Sequence, residues 1–348
     1  MAKVAVEKKW TLSSACAAMI SLPALAACGA TATQGDDDDA LTVYSGRSEG
    51  NVEELFEQFE EDTGIELDVR YGDSAELTSQ ILEEGEATPA DVYFTLEVGG
   101  INALNDQGYI ATLPDHILEM VPESFQVPDG SWVGTAARAR VIGYNPENIS
   151  VDDLPESAYE LTEPEWEGRL GIAPSNSSFQ AFLSGFRALE GDEATQQWLN
   201  DIAANDPEIF DNNRAIIEGI EQGVVDVGLV NHYYHIRQIE EDGEENVDWD
   251  THYVTGGDPI GIPVIAGISV LEGSQMQEEA HELIEFLLSE EAQQYFADET
   301  HEYPVVDGIE SQHDELVPLG ELGTPPVELA EVADMERTLE MLRDAGLL

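Results

Sequence analysis

Residues 41–97 alternate apolar runs with amphipathic ones, and this alternation narrows the fold more than any other feature of the chain. LTVYSG (41–46) reads as a strand. NVEELFEQFEEDTG follows, with Val52, Leu55, Phe56 and Phe59 on one helical face and Gly64 as its stop. IELDVRYG alternates as a strand does, SAELTSQILEEG reads as a helix and ADVYFTL as a third strand. This β-α-β-α-β order calls for a parallel sheet with right-handed crossovers. Ligands of such sheets bind beyond the carboxyl ends of the strands, where YSGRSEG and FTLEVGG lie.

The middle of the chain repeats the theme. GRLGIAPSNSS is a strand and a polar loop, FQAFLSGFRALEG a helix, RAIIEGIEQG a helix capped by Gly223, and VVDVGLV a strand that runs into NHYYH. GIPVIAGISVLEGS supplies further apolar runs. EEAHELIEFLLSEEAQQYFADE reads as one long helix, and ADMERTLEMLRDAGLL as the last. The expected plan is two α/β lobes with a ligand cleft between them: residues 41–135 plus 265–315 in lobe 1, and 136–264 plus 316–348 in lobe 2.

The formal net charge is −60, from 73 acidic and 13 basic side chains among 348 residues. The three lysines lie in the first ten residues, so arginine alone supplies positive charge afterwards. High net charge often means disorder, but the apolar periodicity argues for a folded chain with a carboxylate-covered, halophilic surface. Self-repulsion opposes compaction, and molar salt shortens the Debye length to about 3 Å. Partial unfolding in dilute buffer is therefore expected; a melting temperature equal in dilute and molar salt would refute it. Nucleic acid is not an expected partner, since it would repel this surface.

The amino terminus reads as a lipoprotein signal peptide over residues 1–27: two lysines, a short apolar region, then LAAC ending at Cys28. The apolar run is short for a membrane span. Lipidation of Cys28 would anchor a secreted protein to the outer face of the cytoplasmic membrane, with residues 28–40 as an acidic tether. No cysteine follows Cys28, so the folded part has neither a disulfide nor a thiolate metal site.

NHYYH (231–235) sets two tyrosines between two histidines at a strand end. Neutral phenols could stack on a sugar, cage a cation or simply pack in the core. Deprotonated phenols make sense only beside a strong Lewis acid, because a free phenol titrates at about 10. Hard, highly charged ions favour anionic oxygen, which suits ferric iron. Zinc on His232 and His235 is the rival, their i,i+3 spacing allowing one helical face. A zinc-dependent hydrolase would then be the alternative, although nothing pairs a nucleophile with a base and no nucleotide phosphate loop occurs, so an enzyme is not expected.

The landmarks LTVYSGRSE, TGIELDVRYG, PADVYF, ARARVIGYN, WEGRLGIAPSNSSF, QGVVDVGLVNHYY, ISVLEGS, EYPV and LEMLRDAGLL occur in that order. Through them nearly the whole chain after the signal resembles the ferric-ion-binding proteins of bacterial ABC-type iron uptake systems, a branch of the extracellular solute-binding proteins. The most specific parts are QGxxDxGLVNxYY and EYP. The resemblance implies a two-lobed, type II periplasmic binding protein-like α/β fold. It implies a monomer that binds Fe3+ and hands it to an ABC permease and its ATPase, with Tyr233 and Tyr234 as iron ligands. It also implies a synergistic anion, phosphate or carbonate, on Asn176, Ser177, Ser178, Asn213 and Asn231. Small polar residues at a strand-to-helix turn suit an anion, though Ser177 or Ser178 could equally serve as a plain N-cap.

Departures from the family pattern leave the remaining ligands open. Ser48 stands where many members have a histidine, with Glu49 adjacent as a substitute or as a solvated first-turn glutamate. Glu97 is one residue from the place of the family glutamate ligand. Phe179 replaces a third tyrosine. Arg138 and Arg140 match family positions, near the anion or in the crossover, with a structural ion pair expected for Arg140. Tyr303 is expected at the hinge. A receptor of the same fold for a phosphonate or organic anion is the second alternative.

Overall fold

The computed structural model describes residues 40–309, 311–313, 316–323 and 335–348; Cys28 and the signal segment lie outside these residues. The strands form two sheets of five. The first contains β1 (Leu41–Ser45), β2 (Leu67–Tyr71), β3 (Val92–Thr95), β4 (Val133–Arg138) and β10 (Val264–Val270), in the order β2-β1-β3-β10-β4. The second contains β5 (Arg140–Tyr144), β6 (Leu170–Ile172), β7 (Glu208–Ile209), β8 (Val227–Asn231) and β9 (Asp250–His252), in the order β7-β6-β8-β5-β9. Both follow one plan: three parallel strands, then an antiparallel one, then an edge strand. The β-α-β-α-β expectation is met.

The helices are α1 (Glu49–Thr63), α2 (Ser74–Glu84), α3 (Gly99–Asn105), α4 (Asp115–Leu118), α5 (Ser177–Glu190), α6 (Asp192–Ala204), α7 (Asn213–Glu221) and α8 (Tyr233–Asp242). After these come α9 (Gln277–Leu287), α10 (Glu290–Asp298), α11 (Leu319–Leu322) and α12 (Met335–Asp344). In α1 the buried face is Val52, Leu55, Phe56 and Phe59, and Gly64 ends it at φ 76°. Each such side chain contributes about 1.5–3 kcal/mol on burial, which offsets the poor intrinsic stability of a short helix. The single helix expected over 278–299 is two helices. Ser289 is extended, and its hydroxyl accepts from the Ala292 N–H at 3.2 Å, so it caps a new helix start.

One residue, Ala139, separates β4 of the first sheet from β5 of the second, and Ile262–Pro263 precede the return into β10. The first core cluster gathers around sheet one and includes Leu316 and Leu322; the second lies on sheet two with Met341 and Leu342 of α12. A third, smaller cluster packs α7 against β8. Close approach of α7 depends on Gly228, where a Cβ would stand 2.2 Å from Ile216 Cγ2. Glycine in a strand interior is costly in entropy; here it seats α7, whose first residue, Asn213, enters the site described next.

Candidate metal and anion centre

β8 ends at Asn231, and α8 begins at Tyr233. A strand would send Tyr233 and Tyr234 to opposite faces, but the first helical turn puts their rings 4.5 Å apart. Burial raises the Tyr234 pKa above the ordinary phenol value, as does the neighbouring Tyr233; Arg214 and Arg138 pull the other way. The guanidinium of Arg237 lies over the Tyr233 ring at 4.6 Å, and that of Arg214 over the Tyr234 ring at 6.0 Å. Neither arginine was singled out from sequence. The Tyr233–Arg237 spacing of four, one face of a helix, was the available signal.

Arg140 lies behind the pair. Its Nη1 donates to Ser178 Oγ (3.1 Å), Asn213 Oδ1 (3.1 Å) and Asn231 Oδ1 (2.9 Å), and its Nη2 to the Leu229 carbonyl (2.7 Å). Asn231 Nδ2 in turn reaches the Tyr233 hydroxyl at 3.4 Å. Burial pulls the Arg140 pKa down to about 9, with both tyrosines opposing. The ion pair expected for Arg140 is absent among the described residues, where its partners are neutral oxygens. Asn176, not Ser177 or Ser178, caps α5: its Oδ1 accepts from the Ser178 N–H at 3.2 Å and Oγ at 2.6 Å, while Asn213 Nδ2 approaches it at 3.4 Å. Four of the five anion-loop candidates are thus brought together around one guanidinium.

Ser177 instead lines a cleft of about 870 Å³ with Glu97, Ser74, Gln180 and Arg187. Burial pushes the Glu97 carboxyl up to about 7, with Arg138 opposing and Asp73 reinforcing, and its Oε2 has no hydrogen-bond partner among the described residues. The tyrosines are not in that lining; Tyr234 borders a smaller pocket with Arg214 and Arg237. Ser48 and Glu49 are exposed at the start of α1.

His232 and His235 engage different partners. Nδ1 of His232 accepts the Ala139 N–H at 3.2 Å, and Nε2 donates to the His301 carbonyl at 2.8 Å, so both ring nitrogens are engaged. Its ring stacks on Tyr303 at 4.8 Å. His235 turns to Asp250, 3.8 Å away, and the edge of Trp249. Tyr303 pairs with Ala137 by backbone hydrogen bonds of 2.8 and 2.9 Å, beside the Ala139 crossing. Next to it Glu302 is buried, ion-paired to Arg47, 3.7 Å from Arg138 Nε and bonded by Thr300 Oγ1 at 2.9 Å.

Two sheets of the same plan joined by short crossings, with polar side chains gathered there, define a two-lobed solute-binding protein of type II topology. Iron-bound HitA from Pseudomonas aeruginosa superposes with a TM-score of 0.81 at 33% identity, covering 88% of this chain and 99% of that one. The apo ferric ion-binding protein A of Pasteurella haemolytica gives 0.79 at 25% identity, covering 88% and 98%. Residues 88–320 match the bacterial extracellular solute-binding proteins, and the chain belongs to that family. It is 31% identical to an Fe(3+)-binding periplasmic protein of Serratia marcescens over 95% of this chain and 97% of that protein. It is 32% identical to iron uptake protein A1 of Synechocystis over 80% and 78%.

Proposed function

We propose that the chain is an extracytoplasmic receptor that binds Fe3+ and passes it to an ABC importer, without catalysis of its own. The observation that carries this is the tyrosine pair at the start of α8, with arginines against both rings. Of the ten arginines, Arg138, Arg140, Arg214 and Arg237 act on the pair. At Tyr234 the charges of Arg214 and Arg138 favour the phenolate, while burial disfavours it. A trivalent cation supplies the remaining drive, since a bound metal can hold an oxygen ligand deprotonated. The relatives named for ferric iron support iron as the ligand.

The same reading gives Arg140, Asn176, Ser178, Asn213 and Asn231 to a synergistic anion such as phosphate or carbonate, with Ser177 at the cleft wall. Glu97 is the candidate third protein ligand, since it is buried with an unpartnered oxygen at the cleft. The lobes divide near Ala139 and Pro263. The lipoprotein signal, the lipid anchor at Cys28 and a salt-adapted surface complete the proposal.

Loading the purified chain with ferric iron in molar salt tests it. We expect one equivalent of iron and a visible tyrosinate-to-iron band, both abolished in the double variant Tyr233→Phe/Tyr234→Phe. Undiminished binding in that variant would favour the second reading, a receptor for an organic or phosphonate anion. The Arg140 cluster would also serve that ligand.

A further inference from the structure

A separate cluster lies further along α8. Glu240, His301 and His313 place one ligand atom each so that all three fall within 4.8 Å of one another. His301 Nε2 meets Glu240 Oε2 at 2.9 Å, and His313 Nε2 is 3.7 Å from Glu240 Oε1. Bonds of about 2.0–2.2 Å from a tetrahedral ion put neighbouring ligand atoms a little over 3 Å apart, so small side-chain shifts complete the triangle. Two imidazoles and one carboxylate, with a position left for water, form a donor set for a borderline divalent cation such as zinc. That is a different preference from the oxygen-only, trivalent chemistry of the tyrosines.

The surrounding structure holds these rings in place. His301 is buried, and its backbone is left-handed at φ 55°, unusual for a residue with a side chain. Its carbonyl is fixed by His232 Nε2. The Asp298 carboxylate accepts the Gln312 N–H at 3.0 Å, so the residue before His313 is fastened to the end of α10; without metal the Asp298 carbonyl accepts from His313 Nε2 at 3.1 Å, a bond that an ion on that nitrogen would replace. The Glu240 carboxylate is half exposed, which leaves a path for an ion. Arg237 is the nearby cation, its Nη2 donating to the Thr300 carbonyl at 3.1 Å; at the His301 ring the charge of Glu240 opposes it.

We propose that Glu240, His301 and His313 form a second metal site, for a divalent cation such as zinc, distinct from the tyrosine centre. Glu240 follows Tyr233 by seven residues, about two turns or 10 Å along α8. An ion there ties the far end of the tyrosine helix, whose buried Ile236 packs in the sheet-one core, to the segment that carries Glu302 and Tyr303 into sheet one.

Cobalt(II), a spectroscopic stand-in for zinc, tests this in the full chain, in molar KCl with excess magnesium to occupy sites made of carboxylates alone. The expected result is one equivalent bound, with an intense visible ligand-field band of tetrahedral type. Retention of that band in Tyr233→Phe/Tyr234→Phe separates the site from the tyrosines, whatever that variant does to iron. Glu240→Gln and His313→Ala, each shown folded by circular dichroism, should weaken cobalt binding by more than about 100-fold, beyond the usual loss from an outer-shell change. Substituting His301 risks the fold, so the test does not depend on it. A folded native chain without the band, or a band unchanged by Glu240→Gln and His313→Ala, overturns the proposal.

Discussion

Arg138 and Arg140 stand one residue apart, both buried, yet they are satisfied in opposite ways. Arg138 shares Glu302 with Arg47, so two guanidiniums meet one carboxylate. Among the described residues Arg140 donates to amide, hydroxyl and carbonyl oxygens and lies over the Phe179 ring. The first arrangement is closer to balance and belongs to the frame between the sheets. The second holds positive charge that no described carboxylate answers, beside phenols that can become anions. Buried charge without a counter-charge costs free energy, which fits the anion proposed there.

Removing the counter-charge at the frame should have the largest effect. Glu302→Gln leaves Arg47 and Arg138 buried without an anion and should destabilise the fold by about 3–5 kcal/mol, measured by denaturant unfolding in molar salt. A loss below about 1 kcal/mol would erase the distinction drawn here. The pH dependence has a definite sign. Burial works to raise the Glu302 pKa, but the charges of Arg47 and Arg138 and hydrogen bonds from Arg47 and Thr300 hold it below the ordinary glutamate value. The folded state therefore binds fewer protons. Its advantage is present above about pH 4.3, the ordinary value, and is lost as pH falls through the lowered one. The stability gap between native chain and Glu302→Gln should shrink on acidification.

A smaller change in stability but a larger one in binding is expected at Arg140. Arg140→Met abandons several acceptors, costing about 1–3 kcal/mol, while relieving an unbalanced charge. Ferric affinity should fall at least about tenfold, because charge-assisted bonds to an anion are worth about 1.5–3 kcal/mol. Unchanged affinity would make Arg140 part of the frame. The smallest effect is expected at Glu49→Gln. The residue is exposed, and such changes stay within about 0.5 kcal/mol, so iron titration should match that of the native chain; a clear loss would bring Glu49 into the ligand set.

Much of the fold was legible because burial imposes a period. Val52, Leu55, Phe56 and Phe59 declare α1, and the strands on either side declare a parallel sheet. The break at Ser289 was hidden because the apolar period continues across it, whereas a cap depends on one hydroxyl. β9 escaped notice since Asp250–His252 is a short edge strand carrying no apolar run. At the site, the adjacent phenols and the Asn176–Ser178 turn were readable as chemistry. The Arg47–Glu302 pair, 255 residues apart, leaves no local trace. The full engagement of His232 likewise depends on backbone atoms at Ala139 and His301, which no residue pattern encodes.

The single-residue crossing at Ala139 has a mechanical consequence. Extended residues advance about 3.3 Å each, so Arg138 and Arg140 stay neighbours at any angle between the sheets. They sit at the fulcrum. Asn231 pairs with Arg140 across β5 and β8, so these two stay together on sheet two, whereas α8 packs its buried Ile236 into the core of sheet one. Glu97 follows β3 on the other side of that joint, close to it, for Arg138 Nη2 donates to the Leu96 carbonyl. In the proposed receptor, opening about this joint would part Glu97 from the anion residues while both arginines keep their place between them.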